Sequence, residues 1–234
     1  MTTLEQTLKD VERVAATGAL PVLVFDLDST LFNTAGRHLA ILRAFADEHR
    51  ELLPIAESLR VEDFGWHVDA PLRRHGVGEP LLEKLRAFWF KRFFHDDWLH
   101  HDHPAPGGPG YVQEVYRRGA LVYYLTGRDV GGMARGTAAA LIQCGYPFFS
   151  GRTILHLKPK FDMPDAAFKD AAMQDIRSHR GQVIATFENE PGNANLFLSS
   201  FPQATHFLVG NVCSPESPDG DPSLVRIPDF EMNR

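Results

Sequence analysis

The sequence predicts an α/β protein with a doubly wound parallel sheet and an inserted helical cap. Short apolar runs rich in β-branched residues alternate with segments in which apolar residues recur at helical spacing. This alternation stops between residues 34 and 103, and it resumes after a linker rich in Pro and Gly. Alternating strands and helices are typical of a parallel sheet that helices cover on both faces, and the interruption predicts the insert.

The composition fits a globular protein and excludes a chain that is disordered throughout. The chain has 234 residues, of which 44% are hydrophobic and 23% are charged, and both fractions lie near the averages of globular proteins. This length corresponds to one large domain or to a core with a smaller insert. The net charge of -6 argues against binding to duplex nucleic acid, because such proteins normally present a basic face.

The distribution of apolar residues along the chain bears on where in the cell the protein is expected. No stretch approaches the roughly 18 consecutive apolar residues of a membrane span, and the N-terminal segment has no apolar signal-peptide core. We therefore expect a cytoplasmic protein without a membrane partner or a nucleic-acid partner. Cys144 and Cys213 are too few for a disulfide scaffold, and the sequence leaves the oligomeric state open.

The first predicted elements are a helix and a buried strand. Leu4, Leu8 and Val11 recur at helical spacing, which predicts an amphipathic helix over residues 3–16. Residues 20–25 are almost entirely apolar and are bounded by a glycine and a polar turn. Such a run predicts a strand that is buried on both faces, as in a parallel sheet.

Further strands and helices alternate along the rest of the chain. The predicted strands are 121–125, 153–157, 183–187 and 206–209, and the predicted helices are 111–118, 132–144, 164–180 and 193–200. Gly119, Gly145 and Gly181 are predicted to end three of these helices in the left-handed conformation. In the polar C-terminal tail, residues 224–227 are expected to dock as an edge strand.

The interruption of the alternation sets the predicted domain boundaries. Residues 1–33 and 104–234 form the predicted core, and residues 34–103 form the predicted helical cap. Within the cap, residues 34–50 and 79–94 are predicted to be helices. The cap also holds all three Trp and eight of the eleven His, so its composition differs from that of the core.

Two stretches of the predicted cap are rich in one kind of side chain. Residues 86–94 carry dense aromatic side chains, which we expect mainly to pack cap helices against each other and the core, while a minority line the entrance to a site. Residues 95–103 contain a cluster of His and Asp side chains. Their spacing matches no fixed metal-ligand pattern, so a solvated loop is the favoured interpretation and a second metal site is the alternative.

Asp26 and Asp28 directly follow the first predicted strand. Ligands of open α/β sheets bind beyond the carboxyl ends of the strands, so both carboxylates are placed where a site is expected. Two such carboxylates repel each other unless a cation or a proton is present, and an oxygen-ligated ion such as Mg²⁺ fits this pair. An ordinary turn after a strand is the alternative, and the candidates at other strand ends argue against it.

Thr126, Gly127 and Glu188 lie at two further strand ends. The Thr126 hydroxyl can donate to an anion, and Gly127 lets its backbone N–H approach one closely. Glu188 could complete an acidic metal site with Asp26. Alone, the first pair would indicate a helix cap and the glutamate an acidic turn. Together with the aspartates, they predict a site for an anion and a metal ion.

Two lysines compete for a role beside these groups. A lysine can balance the charge of a carboxylate nucleophile and a phosphate. Lys158 follows the strand predicted at 153–157, and Lys169 lies early in the next predicted helix. A long side chain at that helical position can reach back toward the strand ends. A solvated surface position is the alternative for either lysine.

Taken together, the four motifs resemble those of the haloacid dehalogenase-like (HAD) hydrolase superfamily. The match covers residues 20–32 and 105–209, a Rossmann-like core, and its most specific part is DxDxT after a buried strand. The resemblance favours Lys169 over Lys158 as the motif lysine. It implies a Mg²⁺-dependent phosphatase of a small phosphorylated metabolite. The alternatives are a phosphoryl transferase or mutase and a non-catalytic phosphate-binding or interaction module, with a dehalogenase or a nucleic-acid end phosphatase as minor ones.

The resemblance also implies a role for each candidate residue. Asp26 would be the nucleophile that accepts the phosphoryl group, and Asp28 would be the general acid/base and bind Mg²⁺ through its backbone carbonyl. The phosphate-binding residues would be Thr126, Gly127 and Lys169, and the metal site would comprise Asp26, Asp28 and Glu188. Asn189 stands where many members have a second acidic residue, and it would orient a metal-bound water rather than bind the ion.

Overall fold

The computed structural model describes residues 3–148 and 151–232. The strands are β1 (Pro21–Phe25), β2 (Phe32–Asn33), β3 (His103–Pro104), β4 (Leu121–Asp129), β5 (Thr153–Lys158), β6 (Gln182–Glu188), β7 (Thr205–Val209) and β8 (Val225–Ile227). The α-helices are α1 (Thr3–Ala16), α2 (Ala35–Glu48), α3 (Leu53–Ser58), α4 (Ala70–Arg74), α5 (Glu79–Phe93), α6 (Gly108–Arg117), α7 (Val130–Gln143), α8 (Asp165–Ser178) and α9 (Pro191–Ser200). Short 3-10 helices lie at Arg50–Leu52, Val61–Asp63 and Asp96–His101. In this part of the chain, the helices are too short or too polar to cross a membrane.

Six strands form one parallel sheet, in the order β5-β4-β1-β6-β7-β8. The chain leaves β1 toward β4 and β5 on one side, and then continues through β6, β7 and β8 on the other. Because the strands are parallel, their carboxyl ends meet at one edge, and a reversal of this kind opens a crevice there. The predicted fold class is confirmed, and the crevice lies where Asp26 follows β1.

Helices cover both faces of the sheet. Leu23 and Phe25 of β1 point into an apolar core shared with α1, α6 and α7, whereas Val22 and Val24 point into a core shared with α8 and α9. Adjacent side chains of a strand point to opposite faces, so a strand that is covered on both sides has to be apolar throughout. This explains why an uninterrupted apolar run marks β1 in the sequence.

Residues 35–101, between β2 and β3, form a segment termed the helical insertion. It contains α2 to α5 and the three 3-10 helices. Its helices share an apolar core of their own, which includes Leu42, Phe45, Leu72, Leu82 and Leu85. At its base β2 and β3 pair in antiparallel fashion, with Phe32 opposite Pro104. The sequence does not predict this pairing, because strands of two residues show no periodicity, yet it brings both ends of the insertion beside the carboxyl end of β1.

Strand β4 extends further than the sequence predicts. Thr126, Gly127 and Arg128 are expected to follow the strand, but they are among its last residues. Pairing with β5 is regular up to Thr126 and then shifts before Asp129. The Asp129 side chain accepts a hydrogen bond from the Gly132 N–H at 2.8 Å and caps α7. The motif therefore occupies an irregular strand end that leads directly into a helix.

The glycines that follow α6 and α7 adopt the predicted left-handed conformation, whereas Gly181, which follows α8, does not. Gly119 and Gly145 have φ values of 98° and 79°. After α8, Arg180 adopts the left-handed conformation instead, with φ 54°, so the prediction for Gly181 is wrong. A Cβ atom at Gly181 would lie 2.7 Å from the carbonyl oxygen of Leu20. Gly181 is therefore required by the close approach of the chain to the start of β1.

We expect Gly181→Ala to lower the free energy of unfolding by about 1–3 kcal/mol, because the new methyl group would overlap the Leu20 carbonyl. Arg180→Gly should leave it unchanged or raise it by up to about 1 kcal/mol, since glycine adopts a positive φ without strain. Urea unfolding of both variants and the wild-type protein measures these differences. The opposite order of stabilities would show that the contacts of the Arg180 side chain outweigh its backbone strain.

Candidate active site

The predicted site residues meet at the carboxyl edge of the parallel sheet. Asp26 follows β1, Thr126 lies near the end of β4, and Glu188 ends β6. Lys169 reaches the same place from the first half of α8. With residues of the helical insertion opposite them, these side chains line a cavity of about 540 Å³. A cavity of this size suits a small organic ligand.

Asp26, Lys169 and Glu188 form a buried group, termed the lysine trio. The Lys169 Nζ donates to Asp26 Oδ1 at 2.8 Å and to Glu188 Oε2 at 2.6 Å. All three side chains are buried. Lys158, the competing candidate, donates instead to Asp165 Oδ1 at 2.7 Å. The structure therefore brings Lys169, rather than Lys158, to the candidate nucleophile.

The lysine trio contains two carboxylates and one ammonium. Burial raises the pKa of Asp26 to about 8, the charge of Glu188 acts in the same direction, and the charge and hydrogen bond of Lys169 oppose them. Burial works to lower the pKa of Lys169, but the two carboxylates outweigh it and hold that pKa above its usual range. Lys169 is thus a permanent cation, whereas the ionised form of Asp26 is disfavoured until more positive charge arrives.

Thr126 and Gly127 form part of the cavity wall beside the lysine trio. The Thr126 side chain is buried, and its Oγ1 accepts the backbone N–H of Arg128 at 3.3 Å, which leaves the hydroxyl hydrogen to donate. A Cβ atom at Gly127 would lie 2.6 Å from Asp165 Oδ2. The glycine therefore allows the Asp165–Lys158 ion pair to pack against the strand end.

Asp28 lies in a different ion-pair cluster, termed the arginine clamp, which comprises Asp28, Arg37, Asp102 and Arg128. The Nη2 atoms of Arg128 and Arg37 donate to Asp28 Oδ1 at 2.5 and 2.9 Å. Asp102 accepts bonds of 2.5 to 2.8 Å from both arginines. The side chains of Arg37, Arg128 and Asp102 are fully buried, and that of Asp28 is 33% exposed. The clamp thus presents one edge of Asp28 to the cavity.

The clamp determines the protonation of Asp28. Burial works to raise the pKa of Asp28, but the charges and hydrogen bonds of Arg128 and Arg37 outweigh it and hold this pKa well below its usual range. Asp28 is therefore ionised at neutral pH in this arrangement. An ionised carboxylate accepts hydrogen bonds and has no proton to donate. This restricts the general-acid role that the resemblance implies for Asp28.

The motifs do not reveal Arg37, Arg128 and Asp102 as site residues. Asp102 also corrects the expectation that residues 95–103 form a solvated loop, because its side chain is fully buried. A signal for Arg37 is present in the sequence, since it lies one helical turn before the buried Ile41. An arginine on the apolar face of a helix needs a buried partner. Nothing in the sequence alone, however, identifies that partner.

Both ends of the Asn189 amide are engaged by the protein. Its Nδ2 donates to the carbonyl of Val212 at 2.8 Å, and its Oδ1 accepts the hydroxyl of Thr30 at 3.3 Å. A carboxylate here could accept from Thr30 but could not donate to Val212. Asn189 therefore ties the loop after β7 to the turn after β1, which is a structural reason for a neutral residue at this position of the motif.

The predicted Mg²⁺ ligands are divided between the two clusters. Across residues 3–148 and 151–232, no three His, Cys, Asp or Glu side chains are arranged to hold a metal ion. Asp26 and Glu188 share Lys169, whereas the Asp28 side chain faces the arginines. The chemistry of the donors still fits a hard divalent cation, because the carboxylates of Asp26 and Glu188 share a single ammonium and such a cation would relieve this excess of negative charge.

We expect Asp26→Asn to be at least as stable as the wild-type protein, and its advantage to grow with pH. The pKa of Asp26 rises from 3.8 to about 8 on folding, so this group makes the wild-type protein less stable as the pH increases through that interval. The amide has the same shape and does not ionise. Urea unfolding in EDTA at about pH 5, 7 and 9 measures the difference, and a difference that shrinks with pH would contradict the burial argument.

Comparison with known proteins identifies the fold. No protein-family model matches the sequence, and no curated protein matches it significantly. Among solved structures, Protein Tyrosine Kinase A (PtkA) of Mycobacterium tuberculosis is 12% identical over 89% of this chain and 93% of that chain, with a TM-score of 0.53. A protein of Clostridium difficile assigned as a phosphatase is 10% identical over 85% of this chain and 89% of that chain, with a TM-score of 0.52.

A haloacid dehalogenase-like hydrolase of Bacteroides fragilis is 11% identical over 84% of this chain and 90% of that chain, with a TM-score of 0.50. The chain spans only 63% of a class C acid phosphatase of Bacillus anthracis. At such low identity a structural likeness establishes the fold, and the activity has to be argued from the site. The chain has the fold of the haloacid dehalogenase-like hydrolases.

Proposed function

We propose that this protein hydrolyses phosphate monoesters and that Asp26 carries the phosphoryl group between the two steps of the reaction. The observation that carries the proposal is the position of Asp26, a buried carboxylate at the end of an interior strand that the ammonium of Lys169 binds at 2.8 Å. A carboxylate nucleophile needs cationic help to approach an anionic phosphoryl group. Lys169 is positioned to supply it.

In the proposed first step, a bond forms between Asp26 and phosphorus, and the bond from phosphorus to the ester oxygen breaks. Lys169 uses two of its three N–H donors on Asp26 and Glu188, and the third can bind a phosphoryl oxygen. The Thr126 hydroxyl and the Gly127 N–H lie in the wall of the same cavity and would bind the other oxygens. Positioning and electrostatics supply most of the acceleration in such reactions.

In the proposed second step, water attacks the phosphorylated Asp26 and inorganic phosphate leaves. We propose that Asp28 exchanges protons with the leaving group and with this water. The two arginine contacts oppose both transfers, because they lower the pKa of Asp28 and leave it without a proton. Donation by Asp28 therefore requires a contact of the arginine clamp to open first. Leaving groups that need little help from a proton are favoured in such a site.

Mg²⁺ is the cofactor that we propose for this site. Asp26, Glu188 and the backbone carbonyl of Asp28 would hold it, because these residues line the crevice together and offer the oxygen donors that Mg²⁺ prefers. When bound, Mg²⁺ neutralises charge on the phosphoryl oxygens. It would also offset the charge excess of the lysine trio, in which two carboxylates share one ammonium.

The substrate is proposed to be a small phosphorylated metabolite enclosed by a cap. Residues 34–103 would be that cap and residues 1–33 and 104–234 the core, since side chains from both parts line the cavity. Its volume of about 540 Å³ suits a molecule of small-metabolite size. The cytoplasmic location, and the exclusion of nucleic-acid and membrane partners, stay predictions from the sequence.

The proposal predicts phosphate release from monoesters by the wild-type protein with Mg²⁺, and none above background by Asp26→Asn. The amide of this variant is nearly isosteric with the carboxylate but cannot act as the nucleophile. EDTA should abolish the activity and added Mg²⁺ should restore it. Asp170→Asn, at an exposed position of α8, is the matched control and should keep the wild-type rate. A colorimetric phosphate assay on a panel of esters measures each rate.

A folded Asp26→Asn protein that still releases phosphate would contradict the role of Asp26, and release that persists in EDTA would contradict the metal requirement. A phosphorylated enzyme can also transfer its phosphoryl group to an alcohol, and a kinase is among the structural neighbours. Product analysis with added glycerol separates the two reactions. Inorganic phosphate as the main product supports hydrolysis, whereas glycerol phosphate as the main product would replace it by phosphoryl transfer.

Lys169→Ala should lower the rate by about 30- to 1,000-fold, because the loss of a charge-assisted bond in a partly dry site costs roughly 2–4 kcal/mol. Lys158→Ala should lower it less than about fivefold, since this ammonium is bound to Asp165. Lys160→Ala, at an exposed position, serves as the control. Steady-state rates are compared after circular dichroism has verified folding. A crippled Lys158 variant beside a nearly normal Lys169 variant would show that the role belongs to Lys158.

A further inference from the structure

Three aromatic side chains form one wall of the cavity, termed the phenylalanine wall: Phe90, Phe94 and Phe161. The first two lie at the end of α5 in the helical insertion, and Phe161 lies in the loop after β5. The ring centroid of Phe161 lies 5.5 Å from that of Phe90 and 5.1 Å from that of Phe94, and both pairs have edge-to-face geometry. The wall therefore spans from the insertion to the sheet edge that carries Asp26.

Part of the aromatic surface that lines the cavity belongs to exposed side chains. Phe90 is 51% exposed, Phe161 is 41% exposed, and Trp66, which also lines the cavity, is 43% exposed. Trp89 behaves differently, because its indole N–H donates to His38 Nδ1 at 3.0 Å and its ring stacks on the imidazole. Exposed aromatic surface within a pocket is typical of a ligand-binding site. An aromatic ring is the group that would cover this surface best.

The cationic side chains of the cavity already have carboxylate partners. Among the described residues, the Lys and Arg side chains that line it are Arg86, Arg128, Lys158 and Lys169. Near the sheet edge, Arg128 binds Asp28, Lys158 binds Asp165 and Lys169 binds Asp26. Farther out, Arg86 is bound to Asp69 at 2.6 Å and to Glu79 at 2.5 Å. The outer cavity thus has no spare positive charge for a second anionic group, and it suits an uncharged leaving group.

From the phenylalanine wall and the paired cations of the cavity, we infer that the substrate is a phosphate monoester whose alcohol carries an aromatic ring and no second anionic group. The inference rests on the proposed function. The ring lies against Phe90, Phe161 and Trp66, and the phosphoryl group lies at Asp26. The bond from Asp26 to phosphorus forms, the bond from phosphorus to the ester oxygen breaks, and this oxygen leaves with the bonding pair and takes a proton from Asp28 or from solvent.

Binding of phosphonates tests recognition of the ring apart from turnover. Phenylphosphonate, cyclohexylphosphonate and methylphosphonate share the anionic group and contain no ester bond to hydrolyse. Calorimetric titration of the wild-type protein with Mg²⁺ gives the three values of Kd. Phenylphosphonate should bind about tenfold more tightly than methylphosphonate, and about threefold more tightly than cyclohexylphosphonate, because ring–ring contacts add to apolar burial.

Variants of the wall connect this selectivity to the named residues. Phe90→Leu and Phe161→Leu keep an apolar side chain but remove a ring, so each should weaken phenylphosphonate binding about fivefold and leave methylphosphonate unchanged. Phe88→Leu is the matched control, because Phe88 lies on the same helix but packs against Phe45 inside the insertion. It should bind phenylphosphonate with the wild-type Kd. Thermal melting verifies that the three variants are folded.

Turnover of phenyl, benzyl and cyclohexyl phosphate tests recognition of the ring during catalysis. Phenyl and benzyl phosphate both carry an aromatic ring, so their KM values should be similar. Cyclohexyl phosphate has no aromatic ring, so its KM should be about threefold higher.

The possible outcomes separate the inference from the proposed function. Phenylphosphonate that binds no more tightly than the other two phosphonates would overturn the inference, whether or not the protein is active. Equal kcat/KM for phenyl and cyclohexyl phosphate would also overturn it, while the proposed function would stand. Failure to hydrolyse any ester of the panel would overturn the proposed function itself, and the inference with it.

Discussion

The arginine clamp fixes how the helical insertion meets the sheet. Arg37 lies near the start of the insertion and Asp102 directly follows its end, whereas Asp28 follows β1 and Arg128 lies near the end of β4. Two positive and two negative charges balance, and close paired hydrogen bonds make such a buried group tolerable. Loss of one member would leave an unpaired buried charge, at a typical cost of about 3–5 kcal/mol. The cavity has its shape because this cluster holds its two sides together.

The lysine trio differs from the arginine clamp in its charge balance. A single ammonium serves the carboxylates of Asp26 and Glu188, and burial, together with the charge of Glu188, raises the pKa of Asp26. Such an imbalance has no value for stability, and groups with strongly shifted pKa values concentrate at functional sites. A divalent cation would relieve the imbalance and would also let an anionic phosphoryl group approach Asp26. The excess of negative charge in the lysine trio thus accounts both for its unfavourable electrostatics and for the chemistry proposed there.

Sequence reasoning succeeds where the signal is local. Strands buried on both faces are apolar throughout, so the sequence shows where they end. Asp26 and Glu188 are recognised as candidates because they lie at such ends. Residue chemistry alone leaves Lys158 and Lys169 as alternatives and only the family resemblance favours Lys169, because the distance of Lys169 from Asp26 is set by the packing of α8. Arg37 and Asp102 are 65 residues apart and meet only when the chain returns through β3. Asp102 also lies in a polar stretch, so composition indicates solvent where the structure has a buried ion pair.

The inner and the outer part of the cavity suit different portions of the proposed substrate. Close to Asp26, Lys169 offers positive charge where the phosphoryl group is proposed to bind. Farther out, the rings of Phe90 and Phe161 offer apolar surface, and Arg86 is already bound to Asp69 and Glu79. The two parts arise from separate elements, the end of β1 and α8 for the first, and α5 and the loop after β5 for the second. A phosphate ester of an uncharged aromatic alcohol fits both parts, whereas an ester with a second anionic group fits only the inner one.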